Sequence, residues 1–212
     1  MRSGGWVSQS EASPRQQKLY KERSEFKRQE YLTELQKLSN SDGSNLIYMD
    51  EAGIDKEPVR EYGWSPIGQR LIGGVSGMRH SRTSMIAGYS RFFKSLIAPN
   101  SYKGNTDSQK IYNWFENQLL PQLRQKTIET GIVDFVIVLD NASIHRSLKL
   151  KELVENSGYK LLLLAPYSPD YNPIEHIWWQ LKLTLMRIRT ISSTFYQDIE
   201  DGLGSMYRLM WA

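Results

Sequence analysis

Two aspartates and a glutamate stand out in this sequence because each lies where a rigid element would hold it. Asp50 ends LIYMD (46–50) and Asp140 ends FVIVLD (135–140), short apolar runs of the kind that become interior strands. The end of an interior strand fixes a side chain, and in sheets flanked by helices the loops just beyond such ends are where sites gather. If the two strands are neighbours, two carboxylates meet. They repel and raise one another's pKa unless a cation lies between them. Mg²⁺ suits that place, because it takes oxygen ligands, uses few protein carboxylates and keeps waters and substrate phosphates for its other positions. Against this, a lone aspartate at a strand end more often only caps a turn or a following helix.

A third acid comes from APYSPDYNPIEHIWWQLK (165–182). Asn172 fits a helix N-cap, with Pro173 in the first helical position, where its missing N–H costs nothing. Glu175 then falls at the capping-box position, and its local role would be to bond back to the cap's amide. As a metal ligand it would instead project from the first turn towards the strand ends. Asp170 is the rival for third ligand, and spacing does not choose between them. Glu51 follows Asp50 and points to the opposite face if the strand continues, which favours a structural or supporting role. Asn141 and His145 lie just after Asp140. His145 could contact a phosphate or orient water, or it could cap the helix starting near Ser147. Trp178 and Trp179 are adjacent, so at most one faces fully inward, and core packing is the expected role for that one. Tyr167 and Tyr171 could stack on a splayed base or simply anchor their loop.

The elements that must position these residues read clearly in outline. Residues 1–17 are Ser/Gln/Gly-rich and read as a flexible lead. Residues 18–38 place Leu19, Phe26, Tyr31, Leu35 and Leu38 roughly on one helical face. The turn cluster SNSDGSN (39–45) then opens the compact domain near Asn45. SMIAGYS (84–90) and FFKSLIA (92–98) suggest two closely joined strands. Residues 106–126 read as a helix with Ile111, Trp114, Phe115, Leu119 and Leu123 on its apolar side. Residues 147–158 form an amphipathic helix stopped by Gly158, YKLLLLA (159–165) a strand, and Pro173 to about Arg187 a helix, with a last helical segment around 194–209. Early strands followed by alternating strand and helix indicate an α/β or α+β sheet with helices on its faces. The division is 1–44 as lead and connecting helix, 45–190 as the main domain and 191–212 as a C-terminal helical segment.

Composition narrows the partners. With 212 residues and 40% apolar content the chain can fill a sizeable core. A net charge of +4 and a pI near 9.1 suit a polyanion only mildly. The distribution says more: from Tyr62 to Thr106 there is no Asp or Glu, while Arg70, Arg79, Arg82, Arg91, Lys94 and Lys103 all lie there. Such a stretch avoids repelling phosphates and releases counterions on binding nucleic acid, although a plain solvated basic face has the same composition. Cysteine is absent, which removes disulfides, thiolate nucleophiles and Cys-based metal sites. No signal peptide is evident at the N-terminus and no run approaches the ~18 apolar residues of a membrane span.

IYMDEAGI (47–54), VLDNASIHRS (138–147) and APYSPDYNPIEHIWWQLK (165–182), taken together and in order, resemble the catalytic signatures of mariner-like bacterial insertion-sequence transposases of the DDE superfamily. YGWSPIGQR (62–70), SMIAGY (84–89) and the stretch from Leu96 to Leu123 share the family's character, so the resemblance covers roughly residues 20–190. It implies a ribonuclease H-like mixed sheet flanked by helices with an N-terminal helical extension. It also implies that the third acid is the Glu of the Asn-Pro-x-Glu turn, Glu175. Thirty-four residues (141–174) separate it from Asp140, a spacing typical of this group.

The implied chemistry is cut-and-paste DNA transposition with two Mg²⁺ ions per site, Mn²⁺ substituting, about 3.5–4 Å apart in an in-line displacement. Asp50, Asp140 and Glu175 would hold the metals, with Asn141, His145, Arg70 and Arg82 as supporting or DNA-contacting residues. Water would cleave at the element's ends and the freed 3′-hydroxyl would attack target DNA, in this family generally at TA. The partners implied are terminal-repeat and target DNA and a second copy of the chain, in the bacterial cytoplasm at the nucleoid, with no membrane. Family members read their ends with an N-terminal helix-turn-helix region that this chain begins too late to contain. An upstream-frame polypeptide would then supply it. Two other readings stay open: a ribonuclease H-like nuclease that cuts without joining, and a non-catalytic regulatory remnant.

Overall fold

The structure is a computed structural model, and it describes residues 23–54, 83–188 and 202–203. Among these, five strands form one sheet: β1 (Leu46–Ile54), β2 (Thr83–Ser90), β3 (Ser95–Lys103), β4 (Val136–Leu139) and β5 (Lys160–Leu163), in the order β3-β2-β1-β4-β5. The β1–β2 and β2–β3 pairs are antiparallel, and the β1–β4 and β4–β5 pairs are parallel. Parallel neighbours need a crossover. Helices α2 (Ser108–Trp114) and α3 (Leu120–Thr130) supply one before β4, and α4 (Leu148–Asn156) supplies the next before β5. Helix α1 (Glu25–Leu38) precedes the sheet and α5 (Ile174–Ile188) follows it. This is the mixed, helix-flanked sheet that the sequence leads one to expect.

The period of two along a strand sorts β1 between two cores. Ile47 and Met49 pack with Ile86, Ile137 and the apolar faces of α2, α3 and α4. Tyr48 joins Val136 and Val138 beside α1, while Ala52 and Ile54 meet Met85, Ala87 and α5. The same alternation sends Asp50 and Glu51 to opposite faces.

Asp50 does not end its strand. β2 pairs with β1 through Ile54↔Thr83, so β1 runs four residues further than its apolar run suggests. On its other edge the pairing with β4 stops at Tyr48↔Val138. Asp50 therefore lies just past the end of the parallel ladder, and continuing that register by two residues brings it beside Asp140. β3 also differs from expectation: it begins at Ser95, after a turn in which Lys94 has φ 49°, and extends to Lys103. Ala98, with φ 51°, interrupts its regularity; its N–H goes to Gln122 Oε1 at 2.8 Å and its carbonyl accepts from Trp114 Nε1 at 2.7 Å.

The five apolar residues predicted for the central helix are all buried. Ile111, Phe115, Leu119 and Leu123 recur every four residues, and in an α-helix of 3.6 residues per turn each step would drift by about 40°. A wider π-turn, Phe115–Leu119, lies within this run and offsets the drift.

Helix α1 departs from its predicted face. Tyr31 is buried and Leu35 and Leu38 pack against the core, but Phe26 is 72% exposed and Arg28 is only 4% exposed. Arg28 donates to both carboxylate oxygens of Asp170, at 3.0 and 2.8 Å, and its guanidinium lies 3.8 Å from the centre of the Tyr171 ring. Tyr171 in turn stacks on Tyr31, with ring centres 5.5 Å apart. Helix α1 thus grips the single 3₁₀ turn Pro169–Tyr171 that leads into α5.

The lead at 1–17, Leu19, the YGWSPIGQR segment, Arg70, Arg79 and Arg82 lie outside the described residues. So does the predicted 194–209 segment apart from helical Gly202 and Leu203, of which Leu203 packs against the α5 cluster. No helix among the described residues is long and apolar enough to cross a membrane.

The Arg28–Asp170 pair is lopsided: the arginine is enclosed, while the Asp170 side chain is 49% exposed. Removing the acid strands a buried cation, whereas removing the cation returns the acid to water. Asp170→Ala is therefore expected to cost about 2–4 kcal/mol of unfolding free energy and Arg28→Met about 1 kcal/mol or less. Urea denaturation of both variants checks the order, and equal costs would contradict it.

Candidate active site

Asp50, Asp140 and Glu175 line one open cleft of about 330 Å³ at the end of the β1–β4 ladder. Asn141 lines it too, and among the described residues no Lys or Arg does. The β4–β5 side and the 166–169 turn form the far wall. Three acids distant in sequence thus share a cleft whose described lining contains no Lys or Arg.

Each acid is held differently. Asp50 Oδ2 accepts from Trp178 Nε1 at 3.0 Å. Trp178 is 2% exposed and Trp179 61%, so one indole faces inward as expected, but it also orients Asp50, which core packing alone did not foresee. The signal was present: Trp178 stands three residues after Glu175, on the same face of α5. Burial, with the charges of Glu175, Glu51 and Asp140 added, pushes the Asp50 carboxyl up to about 8.

Asp140 goes the other way. Burial works to raise it, but hydrogen bonds from His145 and from the Ala142 N–H, together with the imidazole's charge, hold it below the usual carboxylate range. His145 Nδ1 lies 2.5 Å from Asp140 Oδ1, and Ala142 N donates to the same oxygen at 2.9 Å. On its other side His145 Nε2 lies 2.8 Å from Glu51 Oε1. Burial would lower His145, yet its two carboxylate partners raise it to about 10, so the ring is an imidazolium at neutral pH. His145 does not cap α4; Ser147 does, accepting from Leu150 N at 3.1 Å.

Glu175 is exposed at the cleft and its carboxylate makes no hydrogen bond or ion pair with the described residues. The capping box is closed to it, because the Asn172 N–H already donates to Pro169 O at 2.9 Å. Nor does Asn172 cap with its side chain. The helix begins at Ile174, the Glu175 N–H bonds the Asn172 backbone carbonyl at 3.2 Å, and the Asn172 amide donates to Met49 O at 3.4 Å. The amide nitrogen is thereby anchored on β1, while Oδ1, the atom a cap would use, has no partner among the described residues. Asp170 does not line the cleft; its bond to Arg28 holds its carboxyl below the usual range. Tyr171 is likewise occupied by α1, so it anchors its loop. Tyr167, with φ 55°, lines the cleft.

Among the described residues no group of three or more His, Cys, Asp and Glu side chains forms a ready-made metal cage. Mg²⁺ asks for less, since one or two carboxylates with water and substrate phosphates complete its shell. The cleft offers the oxygens of three acids and one buried acceptor without a partner, Asn172 Oδ1, with no Lys or Arg in its described lining. That donor set fits a hard divalent cation.

The family model described as DDE superfamily endonuclease matches residues 45–194. The chain belongs to the DDE superfamily endonucleases. Among solved structures it is similar to the catalytic domain of Mos1 mariner transposase, at 15% identity and a TM-score of 0.61 over 91% of this chain and 84% of that one. It is similar as well to the Mos1 paired-end complex with the left transposon end (16% identity, TM-score 0.60, 99% of this chain and 64% of that one) and to the Mos1 strand transfer complex (17%, 0.63, 98% and 58%). The chain thus spans less than two thirds of the transposase chains in those complexes. At such identities the likeness establishes the fold, which is that of the Mos1 catalytic domain, ribonuclease H-like. No curated protein sequence matches the chain.

A DDE endonuclease with a carboxyl raised to about 8 destabilises itself without metal. The unfolded Asp50 binds its proton near the ordinary value of 3.8, while the folded one keeps it up to about 8, so stability falls as pH rises through that window. Asp50→Asn, which retains an acceptor for Trp178, removes the charge. In EDTA its unfolding free energy, read from urea denaturation, should match wild type near pH 4 and exceed it increasingly up to pH 8, by on the order of a few kcal/mol. A gap that shrinks with rising pH would contradict this electrostatic account.

Proposed function

We propose that this chain is the catalytic domain of a DNA transposase, cleaving transposon ends and joining them to target DNA. The observation that carries the reading is the convergence of Asp50, Asp140 and Glu175 on one cleft of a DDE endonuclease fold. These three residues would hold two Mg²⁺ ions, with Mn²⁺ able to substitute. Bound there, divalent ions supply Lewis-acid stabilisation of the attacking and leaving oxygens. Structures of the Mos1 paired-end complex with Mg and with Mn support that choice of metals, and those with transposon ends support DNA as the partner.

The chain's own side chains have defined tasks in this scheme. Trp178 fixes one oxygen of Asp50, and His145 with the Ala142 N–H fixes one oxygen of Asp140, so each aspartate presents its remaining oxygen in a set direction. Glu175, free of local bonds on the first turn of α5, can swing into the cleft. Water is the nucleophile for cleavage and the freed 3′-hydroxyl for joining, so no covalent protein–DNA bond is required. Arg91, Lys94 and Lys103 belong to the carboxylate-free stretch proposed to grip phosphates, with Arg70 and Arg82. Insertion at TA, action as a homodimer at the bacterial nucleoid and end recognition by a separate helix-turn-helix polypeptide complete the proposal.

Strand-transfer and nicking assays with a pre-cut terminal end test it. Wild type should nick and join DNA only with Mg²⁺ or Mn²⁺. Glu175→Gln should lose at least about 100-fold, the scale on which loss of one transition-state electrostatic group acts. Hydrolysis without joining would reduce the protein to a plain nuclease, and undiminished activity in Glu175→Gln would remove that residue from the site.

A further inference from the structure

Glu51 does not line the cleft, and alternation along β1 turns it away from Asp50. It nevertheless meets the site from behind. The His145 side chain is 1% exposed and is held at both nitrogens, Nε2 by Glu51 and Nδ1 by Asp140. That imidazole bridges the middle of β1 to the loop after β4, two segments that no longer pair with each other at this level. Its ring plane is set by two acceptors on opposite edges, and a ring held at one edge only would be free to tilt about that single bond. Asp140 Oδ1, taking both Nδ1 and the Ala142 N–H, has its hydrogen-bonding capacity filled. Asp140 Oδ2 makes no hydrogen bond among those described and belongs to a residue of the cleft wall. The orientation of Asp140 thus depends on a ring whose own orientation depends on Glu51.

We infer that Glu51 is a positioning residue for the metal site: it locks His145, and through that ring turns Asp140 so that Oδ2 faces the cleft. This rests on the reading that Asp140 holds metal. Partners of this kind, one bond removed from a ligand, characteristically change metal affinity by about 10–100-fold when removed. A glutamate that served only the packing of β1 would leave that affinity alone.

Mn²⁺ binding to the whole chain, followed by electron paramagnetic resonance without DNA, reads this directly. Wild type, Glu51→Ala, Glu51→Gln, His145→Ala, the Glu51→Ala/His145→Ala pair and Asp140→Asn are compared, with melting temperatures in EDTA as the check of folding. Glu51→Ala is expected to weaken Mn²⁺ binding about 10–100-fold. Glu51→Gln, whose amide can still bond Nε2, should recover part of the loss. Glu51→Ala should add less than about twofold in the His145→Ala background, because the two act as one unit. Affinity in Glu51→Ala within about twofold of wild type, or losses that add in full, would overturn the inference while leaving the metal site intact if Asp140→Asn still abolishes binding. Unchanged binding in Asp140→Asn would overturn the metal reading itself, and this inference with it. Should Glu51→Ala fail to fold, Glu51→Gln decides: a loss beyond about twofold supports the inference and none overturns it.

Discussion

Where the β1–β4 ladder ends determines most of what this molecule can do. Parallel pairing carries Leu46, Ile47 and Tyr48 alongside Val136, Ile137 and Val138 and then stops. Two residues further on each strand stands an aspartate. Because β1 is still held by β2 on its other edge, Asp50 stays on rigid backbone while β4 is free to turn into the loop that carries Asn141 and His145. The cleft is the gap opened by that divergence, and α5 closes its side with Glu175 and Trp178. A one-residue slip of the β1–β4 register would turn Asp50 into the helix-packed face and bring Glu51 to the cleft. The buried alternation of Ile47 and Met49 against Tyr48 and Ala52 excludes that slip.

Crowding acids has an electrostatic cost, and the structure distributes it unevenly. Asp140 is relieved by an imidazolium and a backbone N–H, and its carboxyl falls below the ordinary range. Asp50 has one indole donor and three anionic neighbours, and rises to about 8. Two carboxylates with such opposed environments would meet a divalent cation differently: Asp140 would be ionised and aimed in advance, and Asp50 would give up its proton on holding the cation. Stability withheld from the empty protein is thereby returned on binding, since anything that binds the folded state alone stabilises it.

Much of this was legible in the residues. The apolar runs before Asp50 and Asp140, the turn chemistry of SPDYNP and the helix after it are local patterns, and local patterns survive in a single sequence. What stayed hidden are side-chain bonds between residues far apart along the chain: Trp178 with Asp50, Glu51 with His145 and Arg28 with Asp170, separated by 128, 94 and 142 positions. Nothing in periodicity encodes such a partner. Asn172 shows a sharper departure: its local context is right for a helix cap, yet its amide nitrogen is anchored on Met49 O across the fold and its Oδ1 caps nothing. The different settings of Asp170 and Glu175 were hidden for the same reason, since the partner that occupies Asp170, Arg28, lies in a helix whose charged composition reads as solvent-facing.

That arginine also explains why a helix outside the sheet matters to the cleft. The turn carrying Asp170 and Tyr171 lies between one wall of the cleft and the start of α5, so any looseness there would be passed to Glu175. Helix α1 suppresses it with a bidentate ion pair, a guanidinium on an aromatic face and a stacked tyrosine, all converging on two adjacent residues. Tyr31 meanwhile belongs to the same core as Tyr48 and Val138, the last paired residues before Asp50 and Asp140. One helix therefore braces both the strand ends that carry two of the acids and the turn that aims the third. Glu175 makes no bonds of its own, so its placement depends on this bracing of the segment before it.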